Sequence, residues 1–404
     1  MAVVHPFRAL RPVADHVTDV VAPPYDVIST AEARALSDGK ADSFLHVIRP
    51  EIALPDGCDE HADEVYAGGA AALAALQKSP RWTRDESPTL YVYRLAMGGR
   101  EQTGVFACVS TTEYDAGRIV RHENTRVDKE DDRTRHIMEQ RAHAEPVMLT
   151  YRDDAAVSQI VEETMAAAPL FDLAGPHDSH HTVWSVDAPD TLASAFVSIG
   201  SLYIADGHHR CKAASRAAKE SPNPSEKASR FPAVLFPMSH MAILPYNRLV
   251  FELGTSPEAL LETLRGLGDV TQSAPASPTH RERVSLFMKV DGEFCWWGFS
   301  LPPSATSAAA DQLDVARLQD GVLHPLLGID DPRTDTNIAF VGGIRGTAEL
   351  ERRVRSGEAQ LAISMYPTSI EELIDVSDAG ELMPPKSTWF EPKLLSGLLV
   401  HLWD

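Results

Sequence analysis

At 404 residues the chain exceeds what one hydrophobic core usually serves, so two domains or lobes are expected. Hydrophobic residues at 44% and charged residues at 24% exclude wholesale disorder, and no apolar run approaches the length of a membrane span. The formal net charge of −21 repels a phosphate backbone and argues against double-stranded nucleic acid as a general partner, although a local basic pocket can still bind a nucleotide.

The first ten residues carry Arg8 and no signal-peptide apolar core, so the expected location is cytoplasmic, without a membrane partner. Cys58, Cys108, Cys211 and Cys295 are scattered without metal-knuckle or Cys-x-x-Cys spacing, as reduced thiols are. Further along, Pro23-Pro24-Tyr25-Asp26 forbids helix and sets Tyr25 and Asp26 on a stiff turn. Ser29 or Thr30 then caps an alanine-rich helix.

The pattern predicts a helix over 62–76 and a hairpin of strands 89–95 and 103–111 around Gly98-Gly99. Next comes Arg121-His122-Glu123-Asn124-Thr125, followed by a charge-rich helix on which Arg126, Lys129, Glu130 and Arg133 share one face. Such helices are usually solvated faces. Glu123, just before the helix, is placed to project as a base or metal ligand. Further strands are expected at 147–151, 182–186, 233–236, 283–290 and 294–299, and helices at 155–167, 257–267 and 347–355. Without a regular βαβ period, the reading is a mixed α/β (α+β) fold rather than a doubly wound sheet.

The segment Ser201-Leu202-Tyr203-Ile204-Ala205-Asp206-Gly207-His208-His209-Arg210 joins an apolar strand to an alanine-rich helix through a glycine turn. Free N–H groups at such a helix start attract an anion, Gly207 lets backbone approach it, and the imidazoles and Arg210 add donors. Asp206 is suited to a metal or to orienting a histidine. The string fits neither the Walker pattern nor the three-glycine dinucleotide fingerprint. After it come a polar loop, 219–229, and Ile243-Leu244-Pro245-Tyr246-Asn247-Arg248, whose arginine is expected to be buried, for a ligand or equally in a structural ion pair. Near the end, Met383-Pro384-Pro385-Lys386-Ser387-Thr388 is held extended by prolines and offers one cation and two hydroxyls to a carboxylate or phosphate.

These motifs, with Phe7-Arg8-Ala9-Leu10-Arg11-Pro12 before them, occur in the order seen in the bacterial and archaeal family DUF1015, which the chain resembles over nearly its whole length. The Asp-Gly-His-His-Arg string also resembles the phosphate-binding motif of the ParB/sulfiredoxin superfamily, which includes free-serine kinases. The resemblance implies a ParB/sulfiredoxin-like catalytic core over 1–250 and a C-terminal α/β lobe over 251–404 that returns Lys386, Ser387 and Thr388 to the site. It implies a nucleotide phosphate on Asp206, Gly207, His208, His209 and Arg210, and phosphoryl transfer from ATP or ADP, with Mg2+, to free L-serine.

In that reading Glu123 is the general base with Asp26 as its rival, and Lys129 and Arg133 supply cations. Glu123 and Asp206 hold the metal, while Lys386, Ser387, Thr388 and Arg248 take the acceptor. The partners are a nucleotide and a small hydroxy amino acid, a homodimer is allowed for, and nucleic acid is not expected. Two other readings stand beside it: a ParB-like nucleotide-binding switch without kinase activity, and sulfiredoxin-like chemistry. The last is opposed by His208 standing where a cysteine is required.

Overall fold

The computed structural model describes residues 2–223 and 225–404, so Pro224 of the polar loop and Met1 lie outside the described residues. The fold is mixed α/β of the α+β type. Contacts divide the chain into a first unit, 2–241 with 392–404, and a second, 242–391. The sequence had suggested a boundary near 250; the last thirteen residues also belong to the first unit rather than the second.

The first unit is built on an eight-stranded sheet. Its strands are β1 (Tyr91–Met97), β2 (Arg100–Ser110), β3 (Ile119–Val120), β4 (Val147–Tyr151), β5 (Phe171–Ala174), β6 (His180–Ser185), β7 (Leu202–Asp206) and β8 (Arg230–Pro237), in the spatial order β3-β7-β4-β8-β2-β1-β6-β5. β1 and β2 pair with Met97 opposite Arg100, leaving Gly98 and Gly99 as a two-residue turn at φ 59° and 78°. Both positive angles are what a type I′ hairpin demands.

β4 is apolar at nearly every position because it is central: it runs parallel to β8 and antiparallel to β7, and all five of its residues are buried. Val105, Leu149, Ile204, Cys211 and Leu235 belong to the core on one side. A second cluster, including Phe44, Val47, Leu73 and Trp82, gathers against the helix Asp63–Lys78. The C-terminal pair His401–Leu402 closes on Ala142–His143, tying the end of the chain to this unit.

The second unit has a six-stranded sheet in which every pairing is antiparallel: β9 (Tyr246–Val250), β10 (Val270–Gln272), β11 (Arg283–Val290), β12 (Glu293–Ser300), β13 (Ile338–Gly342) and β14 (Leu361–Met365), ordered β10-β12-β11-β14-β9-β13. Asp291-Gly292, at φ 50° and 87°, turns β11 into β12. Leu249, Phe287, Val341, Leu350 and Ala362 fill the core on one face. Among the described residues, no helix is long and apolar enough to cross a membrane.

Candidate functional site

The strand-turn-helix expected at Asp206 is present: β7 ends at Asp206, Gly207 stands at φ 99° and ψ 33°, and the helix α1 (His208–Glu220) follows. The positive φ favours glycine, and an added Cβ would also meet the Arg210 Nε and a Val147 methyl at 3.1 Å each. No side chain caps α1, so its first backbone N–H groups keep their anion-binding capacity.

Arg210 is not the freely presented phosphate ligand that the sequence suggested. It is 8% exposed, its Nη2 donates to Asp206 Oδ2 at 2.6 Å and its Nη1 to the Pro146 carbonyl. Burial alone would lower its pKa; Asp206, Asp26 and Glu145 outweigh that and raise it. Lys393 Nζ takes the other Asp206 oxygen at 3.0 Å. Burial works to raise the Asp206 pKa, but the charges of Lys393 and Arg210 hold the carboxyl well below its usual range. With both oxygens engaged by cations, Asp206 is poorly placed to be a metal ligand, contrary to the expectation from sequence. It fixes the turn instead.

The two upstream motifs converge here. The His122 backbone N–H donates to His208 Nε2 at 3.4 Å and the two rings meet edge to face with centroids 4.4 Å apart. The Arg126 N–H donates to His209 Nε2 at 3.1 Å. His122, Glu123 and His208 form a compact donor set whose ligand atoms lie within 4.8 Å of one another. His122 is 1% exposed and neither ring nitrogen makes a well-formed hydrogen bond. Burial lowers its pKa to about 4, against smaller opposing effects of the Ile204 backbone and Asp206, and burial likewise lowers that of His208. Both are neutral imidazoles at pH 7, and the Nε2 lone pair of His208 is the one that accepts from the His122 N–H.

Asp26 is exposed, and its charge acts on Arg210, His209, Glu145 and Tyr25. The turn that carries it is anchored by the Tyr25 N–H to Glu145 Oε1 at 3.1 Å and by Arg49 Nη1 to the Tyr25 carbonyl at 2.9 Å. Arg133 lies 3.9 Å over the Tyr25 ring, binds Asp132 through Nε and Nη2 at 2.9 and 2.7 Å, and reaches Glu145 at 3.8 Å.

Its helix, Val127–Gln140, is not the solvated face that its charges suggested: Glu130, Asp132, Arg133 and His136 are buried. Arg126 is its N-cap rather than a member of a helical stripe, and pairs with Asp128 at 2.7 Å. Lys129 is half-buried in the first turn. Cys211 is fully buried and its thiol is pushed up to about 12 by burial, which leaves it no thiolate for sulfiredoxin-like chemistry.

Glu145 and Lys393 were missed from the sequence. Neither carries a spacing signal; Glu145 precedes a central strand and Lys393 lies beyond the proline-rich motif, and only the folded chain brings them to Asp206 and Tyr25.

Lys386, Ser387, Thr388 and Arg248 belong to the second unit. The Ser387 hydroxyl is spent on the Pro384 carbonyl at 2.6 Å, Lys386 Nζ lies 5.3 Å from the Tyr246 ring centre, and Arg248 Nη2 donates to the Lys386 carbonyl at 3.3 Å. Arg248 and the Lys386 backbone thus meet within that unit.

Residues 4–316 match the family described as "Protein of unknown function (DUF1015)". The chain belongs to this family. No curated protein matches it in sequence. Among solved structures it is similar, at 12% identity in each case, to a conserved hypothetical protein from Pyrococcus furiosus (TM-score 0.35, covering 70% of this chain and 90% of that one). It is likewise similar to SbnI with C-terminal truncation from Staphylococcus aureus (0.38, 74% and 87%) and to a free serine kinase in complex with AMP (0.35, 72% and 92%).

Proposed function

We propose that the first unit is a nucleotide-dependent phosphotransferase of the ParB/sulfiredoxin-like type that phosphorylates a small hydroxy compound, with free L-serine as the acceptor and ATP or ADP as the donor. The observation that carries this reading is the Gly207 turn: an uncapped helix start backed by a half-buried, doubly paired Asp206, with the Glu123 motif packed against it. Phosphoryl transfer needs positioning and charge stabilisation more than covalent chemistry, and this arrangement offers both.

In this reading the α1 N–H groups and His209 hold the phosphates. Arg210, through Asp206, keeps the turn in shape. Glu123 accepts the acceptor's hydroxyl proton, with Asp26 as the competing base. Of the donor set, the Glu123 carboxylate alone suits Mg2+, a hard cation that prefers oxygen to the imidazoles of His122 and His208, so phosphate and water oxygens would have to complete its shell. When bound, the ion supplies neutralisation of the nucleotide's charge.

Incubating the protein with ATP or ADP, Mg2+ and a panel of hydroxy amino acids, followed by mass spectrometry, tests the reading. The expected product is O-phosphoserine. Nucleotide bound with every acceptor unchanged would favour the nucleotide-gated switch.

A further inference from the structure

Arg248 lies within β9 and is 3% exposed, yet none of the described carboxylates forms an ion pair with it. Its Nη1 donates to the Tyr246 carbonyl and its Nη2 to the Lys386 carbonyl, and its guanidinium lies 5.4 Å from the Phe340 ring centre. Carbonyl dipoles orient a guanidinium without cancelling its charge. Burial accordingly depresses the pKa to about 10, with the neighbouring Tyr246 opposing the fall. A buried cation without a counter-ion is costly, and such cost is commonly offset by a bound anion.

Space for one is present. Arg248 lines a cavity of about 310 Å³, entirely within the second unit, together with Phe340, Pro384, Asp330, Asp331 and Arg333. That size suits a small molecule. Arg333 and Asp331 neutralise each other through paired contacts of 2.8–3.2 Å. What is left facing the space is the buried charge of Arg248 and the carboxylate of Asp330, which is four-fifths exposed and meets His324 at 2.7 Å. With two arginines against two aspartates the lining has no excess of cations for a polyanion such as a nucleoside triphosphate. A ligand with one negative and one positive end satisfies both poles.

We propose that this cavity binds a small zwitterion of the α-amino-acid class, its carboxylate on Arg248 and its ammonium toward Asp330. The inference goes beyond phosphoryl transfer, because it requires neither nucleotide nor turnover.

Calorimetric titration of the full chain, without nucleotide, tests it with L-alanine as the probe, since alanine has no hydroxyl to phosphorylate. Propionate, which has only the carboxylate, and ethylamine, which has only the ammonium, are the comparison arms. L-alanine is expected to saturate, with each half-ligand weaker by about 10-fold or more. Arg248→Met and Asp330→Asn should each weaken L-alanine, the first by at least about 10-fold. Asp330→Asn alters an exposed side chain and keeps the test valid should Arg248→Met fail to fold. Binding of L-alanine at unchanged affinity in Asp330→Asn and in folded Arg248→Met would overturn the assignment, as would the absence of saturable binding to the wild type at about 10 mM, beyond the usual range for such sites. Failure of the phosphotransferase reading would show in product formation, which this titration does not measure.

Discussion

Arg210 and Arg248 are both buried arginines, and the two units treat them in opposite ways. Arg210 is surrounded by Asp206, Asp26 and Glu145, which raise its pKa; Arg248 meets only carbonyls and an aromatic face, and its pKa falls. The first arginine's charge is used up in holding a turn. The second retains charge to offer a ligand. A buried cation is therefore identified as structural or ligand-binding by its anions, not by its burial.

The comparison is broken most directly by replacing each arginine with methionine. Arg210→Met leaves Asp206 with Lys393 alone and removes a nearby charge that favours ionised Glu145, which keeps Arg133 and the Tyr25 N–H, so it should cost about 3–5 kcal/mol in urea denaturation. Arg248→Met removes a charge with no counter-ion and should cost at least about 2 kcal/mol less. Equal losses would erase the distinction.

Histidines show a second way of managing burial, by giving up charge. His143 and His401, stacked 5.9 Å apart, have pKa values lowered by burial to about 3 and about 4. The unfolded chain binds protons near pH 6.5 that the folded chain refuses, so the contribution is complete above 6.5 and is lost as pH falls through 6.5 toward 3. A progressive loss of stability is expected over that window. Glu145, raised by burial, works in the opposite direction. His143→Leu should flatten the acid limb, measured as urea midpoint against pH; an unchanged limb would show that other groups carry it.

Much of this was legible in the sequence, for reasons that particular residues make plain. Gly98-Gly99 between alternating apolar runs has a local cause and a local outcome, as do the Ser29 cap and the glycine at 207. Strands β9, β13 and β14 were not read as strands, because their partners lie about 100 residues away and pairing there depends on tertiary register. The convergence of His122 and Asp206 was suggested by motif order, whereas the Arg210–Asp206–Lys393 chain was invisible: charge on paper does not tell a ligand from a brace. The same limit explains why the charged helix after Glu123 was expected at the surface.

Gly207→Ala should cost about 1–3 kcal/mol, from the positive φ and the 3.1 Å approaches to Arg210 and Val147. It should also weaken nucleotide binding, whereas the same change at Gly357, with φ 79° and open space, should cost stability alone. Smallest are the helix caps, one in each unit: Ser29 and Ser369 both form capping boxes, with Glu32 and Glu372. Replacing either serine by alanine should cost about 1 kcal/mol in thermal denaturation. A large difference between the two would mean that one cap supports more than its own helix.

The central claim, that the Gly207 turn and Glu123 form a phosphotransfer site, is tested most directly by single-turnover formation of O-phosphoserine at saturating nucleotide in wild type and Glu123→Gln. The substitution keeps the shape and removes the base, so the rate should fall by about 10²-fold or more with nucleotide affinity little changed. A wild-type enzyme that binds nucleotide and leaves serine untouched would contradict the claim, and a fully active Glu123→Gln beside an inactive Asp26→Asn would move the base to Asp26.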